Sequence, residues 1–301
     1  MILNISSALV YTAVFSIFLT PIDFILANKI GAIDIPNDMR RMHTKPIPRI
    51  GGISIFISFI IFCLWFQNQA SPNITALLSG SAIIISLGII DDSVSLSAKS
   101  KLIFQFIAAT VSVFLTQTPN KVFGSAAFSI LWLVTLTNAH NFIDGLNGLC
   151  TGISINESAA IGIILLTADE TSLALVAFAI CGACIGFMPY NAGNAKIFMG
   201  DTGSNFLGFI LGYLSLHAQK RHFGITAIIV LLAVFSIPIA DITYAVTRRI
   251  SNKKSPFSPD RSHIHHILAD SSLGHIRASL VLRIISFLLA AIGIAVFIVF
   301  R

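Results

Sequence analysis

Four aspartates in a strongly apolar chain, Asp91, Asp92, Asp144 and Asp201, each fall where a long apolar run gives way to a short polar island. A carboxylate is costly in hydrocarbon, so acids that recur at the ends of candidate membrane spans point to a shared polar site at a membrane surface. The adjacent carboxylates of Asp91 and Asp92 cannot both ionise easily near low dielectric without a compensating cation. A divalent metal is the simplest compensation. Magnesium prefers a few carboxylates plus water and phosphate oxygens, which suits sparse acids at a phosphate site. The alternative for this pair alone is a helix cap carrying exposed charge.

The other islands offer complementary groups. In Asn138-Ala-His140-Asn141-Phe142-Ile143-Asp144-Gly145-Leu146-Asn147-Gly148, spacings of three put Asn138, Asn141 and Asp144 along one side of a helix end. Such a face either hydrogen-bonds a ligand or bridges helices through its amides. Asp201 stands between glycines in Phe198-Met199-Gly200-Asp201-Thr202-Gly203-Ser204, where backbone and carboxylate can approach a ligand together and the Phe198 ring can stack on a base. Arg40, Arg41, His43, Lys45 and Arg49 crowd the segment before Gly51 and Gly52, stiffened by Pro46 and Pro48. That density of cations suits phosphate, or anchors the topology. In Asp260-Arg261-Ser262-His263-Ile264-His265-His266 no Cys or acidic partner has zinc-ligand spacing, so phosphate contact or proton handling is the preferred reading of the histidines.

The elements that must hold these groups are helices. Of the 301 residues 55% are apolar and only 11% charged, less than half the usual ~25%. Apolar runs near the ~20 residues that cross a bilayer recur along the whole length. They predict an all-α, polytopic membrane protein, one membrane-embedded domain over 1–301. About ten spans are expected: 5–27, 51–67, 74–90, 102–115, 122–138, 149–167, 173–187, 204–217, 224–245 and 280–300, the fourth and eighth short unless flanking residues extend them. The polar loops are then about 28–50, 91–101, 139–148, 188–203 and 246–279. With the N-terminus outside, fifteen of the nineteen Lys and Arg fall on one side, which the positive-inside rule makes cytoplasmic. Both termini are expected outside, and all four acids face the cytoplasm. The first apolar stretch lacks a basic n-region and a small-residue cleavage pattern, so it reads as a retained span. Cys63, Cys150, Cys181 and Cys184 read as core packing, with no disulfide implied.

Taken together, the islands resemble the polyprenyl-phosphate N-acetylhexosamine-1-phosphate transferases, glycosyltransferase family 4. The resemblance rests on His-x-x-Pro-x-Pro-Arg-x-Gly-Gly at His43 to Gly52, the Asp91-Asp92 pair, Asn-x-x-Asp-Gly at Asn141 to Gly145, Phe198 to Ser204, and His263-Ile264-His265-His266. It covers nearly the whole chain. The Asp-Arg-x-His-x-His-His form is similar to the branch that starts O-antigen, common-antigen and teichoic-acid chains, whereas the peptidoglycan branch has consecutive histidines followed by Phe-Glu. Asn147 stands where many relatives have Asp, and His140 and Asn194 also depart from the family pattern.

The resemblance implies transfer of a sugar 1-phosphate from a UDP-N-acetylhexosamine, UDP-GlcNAc or a related sugar, to undecaprenyl phosphate, releasing UMP. It implies magnesium, with manganese as the alternative, on Asp91, Asp92 and Asp201. Asp91, Asp92, His265 and His266 are the expected catalytic groups. Arg40, His43, Lys45, Arg49, Lys101, Asn141, Asp144, Asn147, Phe198, Arg261 and His263 are the expected substrate-binding groups. The expected setting is the bacterial inner membrane among its lipids, with a homodimer allowed and no nucleic acid. The competing reading is a secondary transporter, which would place its key acids near the bilayer midplane. Only Asp23 and Asp241 fall within the spans, both near cytoplasmic ends.

Overall fold

The computed structural model describes residues 2–36, 45–66, 72–116, 126–218, 225–253, 255 and 263–300. Within them the chain is all-α apart from one two-stranded antiparallel ribbon, β1 (Ile33–Asp34) with β2 (Ile47–Pro48). The helices are α1 (Ile2–Ile30), α2 (Gly52–Phe66), α3 (Pro72–Val94), α4 (Ala98–Leu115), α5 (Ala126–Ile143), α6 (Leu149–Thr167), α7 (Thr171–Asn191), α8 (Gly200–Ala218), α9 (Ile225–Val234), α10 (Ser236–Ser251), α11 (Ile264–Asp270) and α12 (Gly274–Val299).

Seven of these helices are long and apolar enough to cross a membrane, eight if α9 and α10 are counted as one broken span. The protein is a polytopic membrane protein. The count of about ten is reached only with α2 and α8. The first is 15 residues long, and the second is lengthy enough but opens on the polar Gly-Asp-Thr-Gly-Ser-Asn turn. Both short expected spans are extended at their polar ends, α4 back to Ala98 and α8 back to Gly200. Ser97 caps α4, its hydroxyl accepting the Ser100 N–H at 3.1 Å, which supplies one of the helix's orphan amides with a partner.

The expected single span over 224–245 is corrected. Its two helices meet at 90° around Phe235. Pro238 explains the break, because a residue without an N–H sits comfortably in the first turn of α10 but cannot continue the ladder of α9. Phe235 is fully buried at the corner, edge-on to Trp132 and to His140 of α5.

At the centre lies α8, every residue of it buried from Thr202 to Ala218. A helix so placed must let its neighbours close in, and its glycines do that work. A side chain at Gly208 would strike the Leu136 carbonyl of α5, and one at Gly52 of α2 would strike the Gly203 backbone. Close backbone approach through small residues is the usual packing device in membranes, where apolar burial between helices is no driving force. Polar contacts show which helix ends share a side. Asp23 of α1 meets Ser54 of α2, Asp91 of α3 meets Lys101 of α4 and Asn141 of α5 meets Ser204 of α8. Asn191 of α7 meets Thr151 of α6, and Ser279 of α12 meets Asn147. The helices therefore alternate in direction, and the described parts of the islands meet at one end of the bundle.

Candidate active site

The site is organised around the start of α8. Gly200 adopts φ +71, and a side chain there would run into the Arg49 carbonyl and the Asp92 carboxylate, so glycine is required both by conformation and by space. Asp92, at the end of α3, takes the amides that α8 leaves free. Its Oδ1 accepts the Asp201 N–H at 3.1 Å, and its Oδ2 accepts the Thr202 N–H at 2.9 Å and the Thr202 hydroxyl at 2.6 Å. A carboxylate at a helix N-terminus gains from both hydrogen bonds and dipole. Arg49 in turn donates from Nε and Nη2 to the Asp92 main-chain carbonyl, at 3.1 and 2.9 Å. The segment around Arg49 is laced to the loop before α8, with Phe198 N–H on Pro48 O at 2.8 Å and Gly51 N–H on Phe198 O at 3.0 Å.

Asp91 and Asp201 instead converge on one cation. Lys101 Nζ lies 2.5 Å from Asp91 Oδ2 and 2.7 Å from Asp201 Oδ2. The remaining oxygen of Asp91 accepts the Leu96 N–H at 2.6 Å, which holds the turn from α3 into α4. Asn141 joins α5 to α8 by donating to Ser204 Oγ at 3.2 Å. In the turn after α5, the Asp144 carboxyl is held well above the usual carboxylate range, first by burial and then by the charges of Asp201 and Asp92, against a lowering bond from the Gly200 amide.

These groups surround a cavity of about 450 Å³, within the usual range for a small-molecule site. The ribbon segments contribute Asp34 and Arg49; α3 and α8 contribute Asp92, Gly200 and Asp201; the turn after α5 contributes Asp144, Gly145, Leu146 and Asn147. Asn191, Gly193, Asn194 and Phe198 come from the end of α7 and the loop beyond, and His266, His275 and Ile276 from α11 and α12.

Of the residues expected from sequence, Arg49, Asp92, Asp144, Asn147, Phe198, Asp201 and His266 line the cavity. Asp91, Lys101 and Asn141 stand directly behind Asp201 through the contacts above. His263 and His265 are placed otherwise. Both are buried off the cavity, His263 against Asp241 at 2.7 Å and His265 beneath Gly145, where a side chain would strike its Nε2. Lys45 is exposed and away from the lining. Arg40, His43 and Arg261 lie outside the described residues.

Asp34, Asn191 and His275 were not singled out by sequence reasoning. Asp34 belongs to no motif in the sequence and reaches the cavity on β1, which pairs with β2. His275 is the second residue of α12, which begins six residues before the apolar run that betrays it.

Among the described residues no three His, Cys, Asp or Glu side chains form a closed metal cage. Asp201 on the cavity wall, with Asp91 directly behind it, nonetheless offers the sparse carboxylates that suit magnesium, which takes one or two of them and leaves its other positions to water and phosphate. Asp92 lines the cavity as well, with both oxygens engaged at the start of α8.

Fold and site together define a polytopic membrane protein with an acid-lined cavity, backed by Lys101 and sized for a small molecule, at one end of its helix bundle. The model of the family described as Glycosyl transferase family 4 matches residues 74–219, which carry Asp91, Lys101, Asp144 and Asp201. A Bacillus subtilis (strain 168) protein, named probable undecaprenyl-phosphate N-acetylglucosaminyl 1-phosphate transferase, is 36% identical across 94% of this chain and 85% of its own. A Yersinia pestis protein, named undecaprenyl-phosphate alpha-N-acetylglucosaminyl 1-phosphate transferase, is 31% identical across 97% and 84%. A decaprenyl-phosphate N-acetylglucosaminephosphotransferase of Mycobacterium leprae (strain TN) is 30% identical across 90% and 78%. The chain belongs to glycosyl transferase family 4.

Proposed function

We propose that the protein transfers N-acetylglucosamine 1-phosphate, or that of a related UDP-N-acetylhexosamine, to undecaprenyl phosphate at the cytoplasmic face of a bacterial inner membrane. The lipid-linked product would start an O-antigen or another cell-envelope polysaccharide. The observation that carries the reading is Asp201 at the wall of a cavity built from the helix ends, with Lys101 and Asp91 directly behind it. The names of the relatives support this choice of substrates.

A lipid phosphate oxygen attacks the phosphorus next to the sugar, that phosphorus loses its bond to the bridging oxygen, and UMP leaves with the electron pair. Both reactants are anions, so catalysis is largely positioning and charge neutralisation. Magnesium, held by Asp91 and Asp201, would supply charge neutralisation to the diphosphate. Lys101 keeps the two carboxylates together and is the fixed positive charge behind them. Arg49 and His266 meet phosphate oxygens, the Phe198 ring stacks on uracil, and Asn147 and Asp144 hold polar groups of the donor. The acceptor phosphate, with a second pKa near ~6, is largely dianionic at pH 7 and needs no strong base. A single displacement is therefore proposed, and trapping a phosphorylated enzyme with UDP-sugar alone would overturn it.

The test is to incubate detergent-purified protein with labelled UDP-N-acetylglucosamine, undecaprenyl phosphate and magnesium, and to look for UMP. Other UDP-N-acetyl sugars in the same assay define the donor, and a chelator defines the metal requirement. Failure of every sugar to yield UMP would refute the transferase reading.

A further inference from the structure

Asp241 is a buried carboxylate that the transfer reaction does not use directly. It is 1% exposed, on the face of α10 that also buries Pro238, Ala245 and Arg249. Both of its oxygens end on the start of α11. His263 Nδ1–H donates to Oδ2 at 2.7 Å, and the Ile264 N–H donates to Oδ1 at 2.8 Å. His265 Nδ1, 3.6 Å from Oδ1, is too far for a hydrogen bond.

The helix so held has seven residues, well short of the length at which a helix persists by itself. Its orientation is therefore set from outside. His265 and Ala269, four residues apart on one face, are buried, with the His265 ring beneath Gly145. His266, one residue on, turns to the cavity. The same cluster grips the turn that carries Asp144. Phe142 packs edge-on to His263 at 5.1 Å between centroids, and the Arg249 guanidinium lies 5.4 Å from the Phe142 ring centre. One carboxylate on the broken span thus fixes both where α11 starts and which of its histidines faces the ligand.

We propose that Asp241 is a positioning residue for the transfer reaction, latching the first turn of α11 so that His266 faces the cavity. The inference rests on the transferase reading above. Only a carboxylate presents acceptors to both donors at once. An amide offers one acceptor and turns an NH₂ group toward the other donor.

The experiment uses the full chain in detergent, with Asp241→Asn, His266→Ala and the double variant. Amide exchange over residues 264–270 in Asp241→Asn should quicken about tenfold or more while the core of α8 is unchanged, which is local rather than global opening. Turnover of UDP-sugar should fall about 10²-fold, the scale of a ~1 Å misplacement. In the His266→Ala background the same substitution should cost no more than about twofold, because coupled sites are not additive.

Unchanged exchange in α11 with an active wild type overturns the latch alone. An equal loss with and without His266, or a His266→Ala variant as active as wild type, overturns the route through His266. A wild type that makes no UMP from any UDP-sugar refutes the reaction itself, and the proposal with it. If Asp241→Asn does not purify folded, His263→Gln, which spares the Ile264 bond, enters the same cycle with the same deciding outcomes.

Discussion

At the scale of single residues, the three acids near the start of α8 separate by what their oxygens touch. Asp91 and Asp201 face one another across Lys101, so Asp91→Asn and Asp201→Asn should each abolish UMP release while the purified protein keeps its elution volume and melting temperature. Wild-type turnover by either variant would remove it from the reaction. Asp92 is spent on α8, so Asp92→Ala leaves buried donors at Asp201 and Thr202 unsatisfied, at about 1–3 kcal/mol each. Its expected signature is a lowered melting temperature, and an unchanged melt would show that α8 does not depend on this cap. Lys101→Met removes the cation between two carboxylates. Turnover should fall about 10²-fold, the scale of losing one charge-stabilising group, as measured by initial rates at saturating donor. The Asp-Asp pair was legible in sequence as a polar site at a span end. The division of labour was not, because adjacent residues on a helix differ by about 100° in direction and only the neighbour each one meets decides its task.

At the scale of elements, the polar ends of helices were the hard part to read. The apolar runs located the helices, yet α4, α8 and α12 all begin several residues earlier than their apolar stretches, inside the islands that line the cavity. Hydropathy marks where a helix meets hydrocarbon and is silent on where its hydrogen bonds start. His275 is hidden for that reason, and His263, expected to bind substrate, and His265, expected to be catalytic, are not separable from His266 in sequence because spacing within a single turn cannot say which histidine faces inward. The break at Phe235 was hidden by an unbroken apolar run, although Pro238 marked it. The glycines carry a consequence for packing between elements. Gly52 and Gly203 let α2 cross α8 at backbone contact, and Gly52→Ala puts a methyl group into the Gly203 main chain. Overpacking of this kind costs typically about 1–3 kcal/mol. Here the shift also pulls on the Gly52 N–H bond to the Met199 carbonyl, one residue before Gly200. Both a lower melting temperature and a lower turnover are therefore expected, and loss of neither would mean that α2 can slide without moving the loop.

At the scale of the whole molecule, the bundle has two ends of different chemistry. The described parts of the islands meet at one, and the turn between α6 and α7, with Asp169 at φ +61, lies at the other. We propose that the island end faces the cytoplasm, the side that the bias of Lys and Arg in the sequence favours. This orientation matters to the proposed reaction, because a nucleotide sugar made in the cytoplasm and the head group of a lipid phosphate would have to meet in the same compartment. It also makes a clean labelling experiment possible. The four native cysteines are buried, so the background for a membrane-impermeant maleimide is low. Lys196, exposed beside the cavity loop, and Asp169, exposed at the opposite end, can each be replaced singly by cysteine. Lys196→Cys should label only in inside-out vesicles and Asp169→Cys only in right-side-out ones. The reverse pattern would place the acids and lysine outside the cell, where UDP-sugars are absent, and the proposed donor would have to be abandoned together with the orientation. Labelling of both from one side would contradict the alternation of the helices itself, which the contacts between Asp23 and Ser54, Asp91 and Lys101, and Asn191 and Thr151 require.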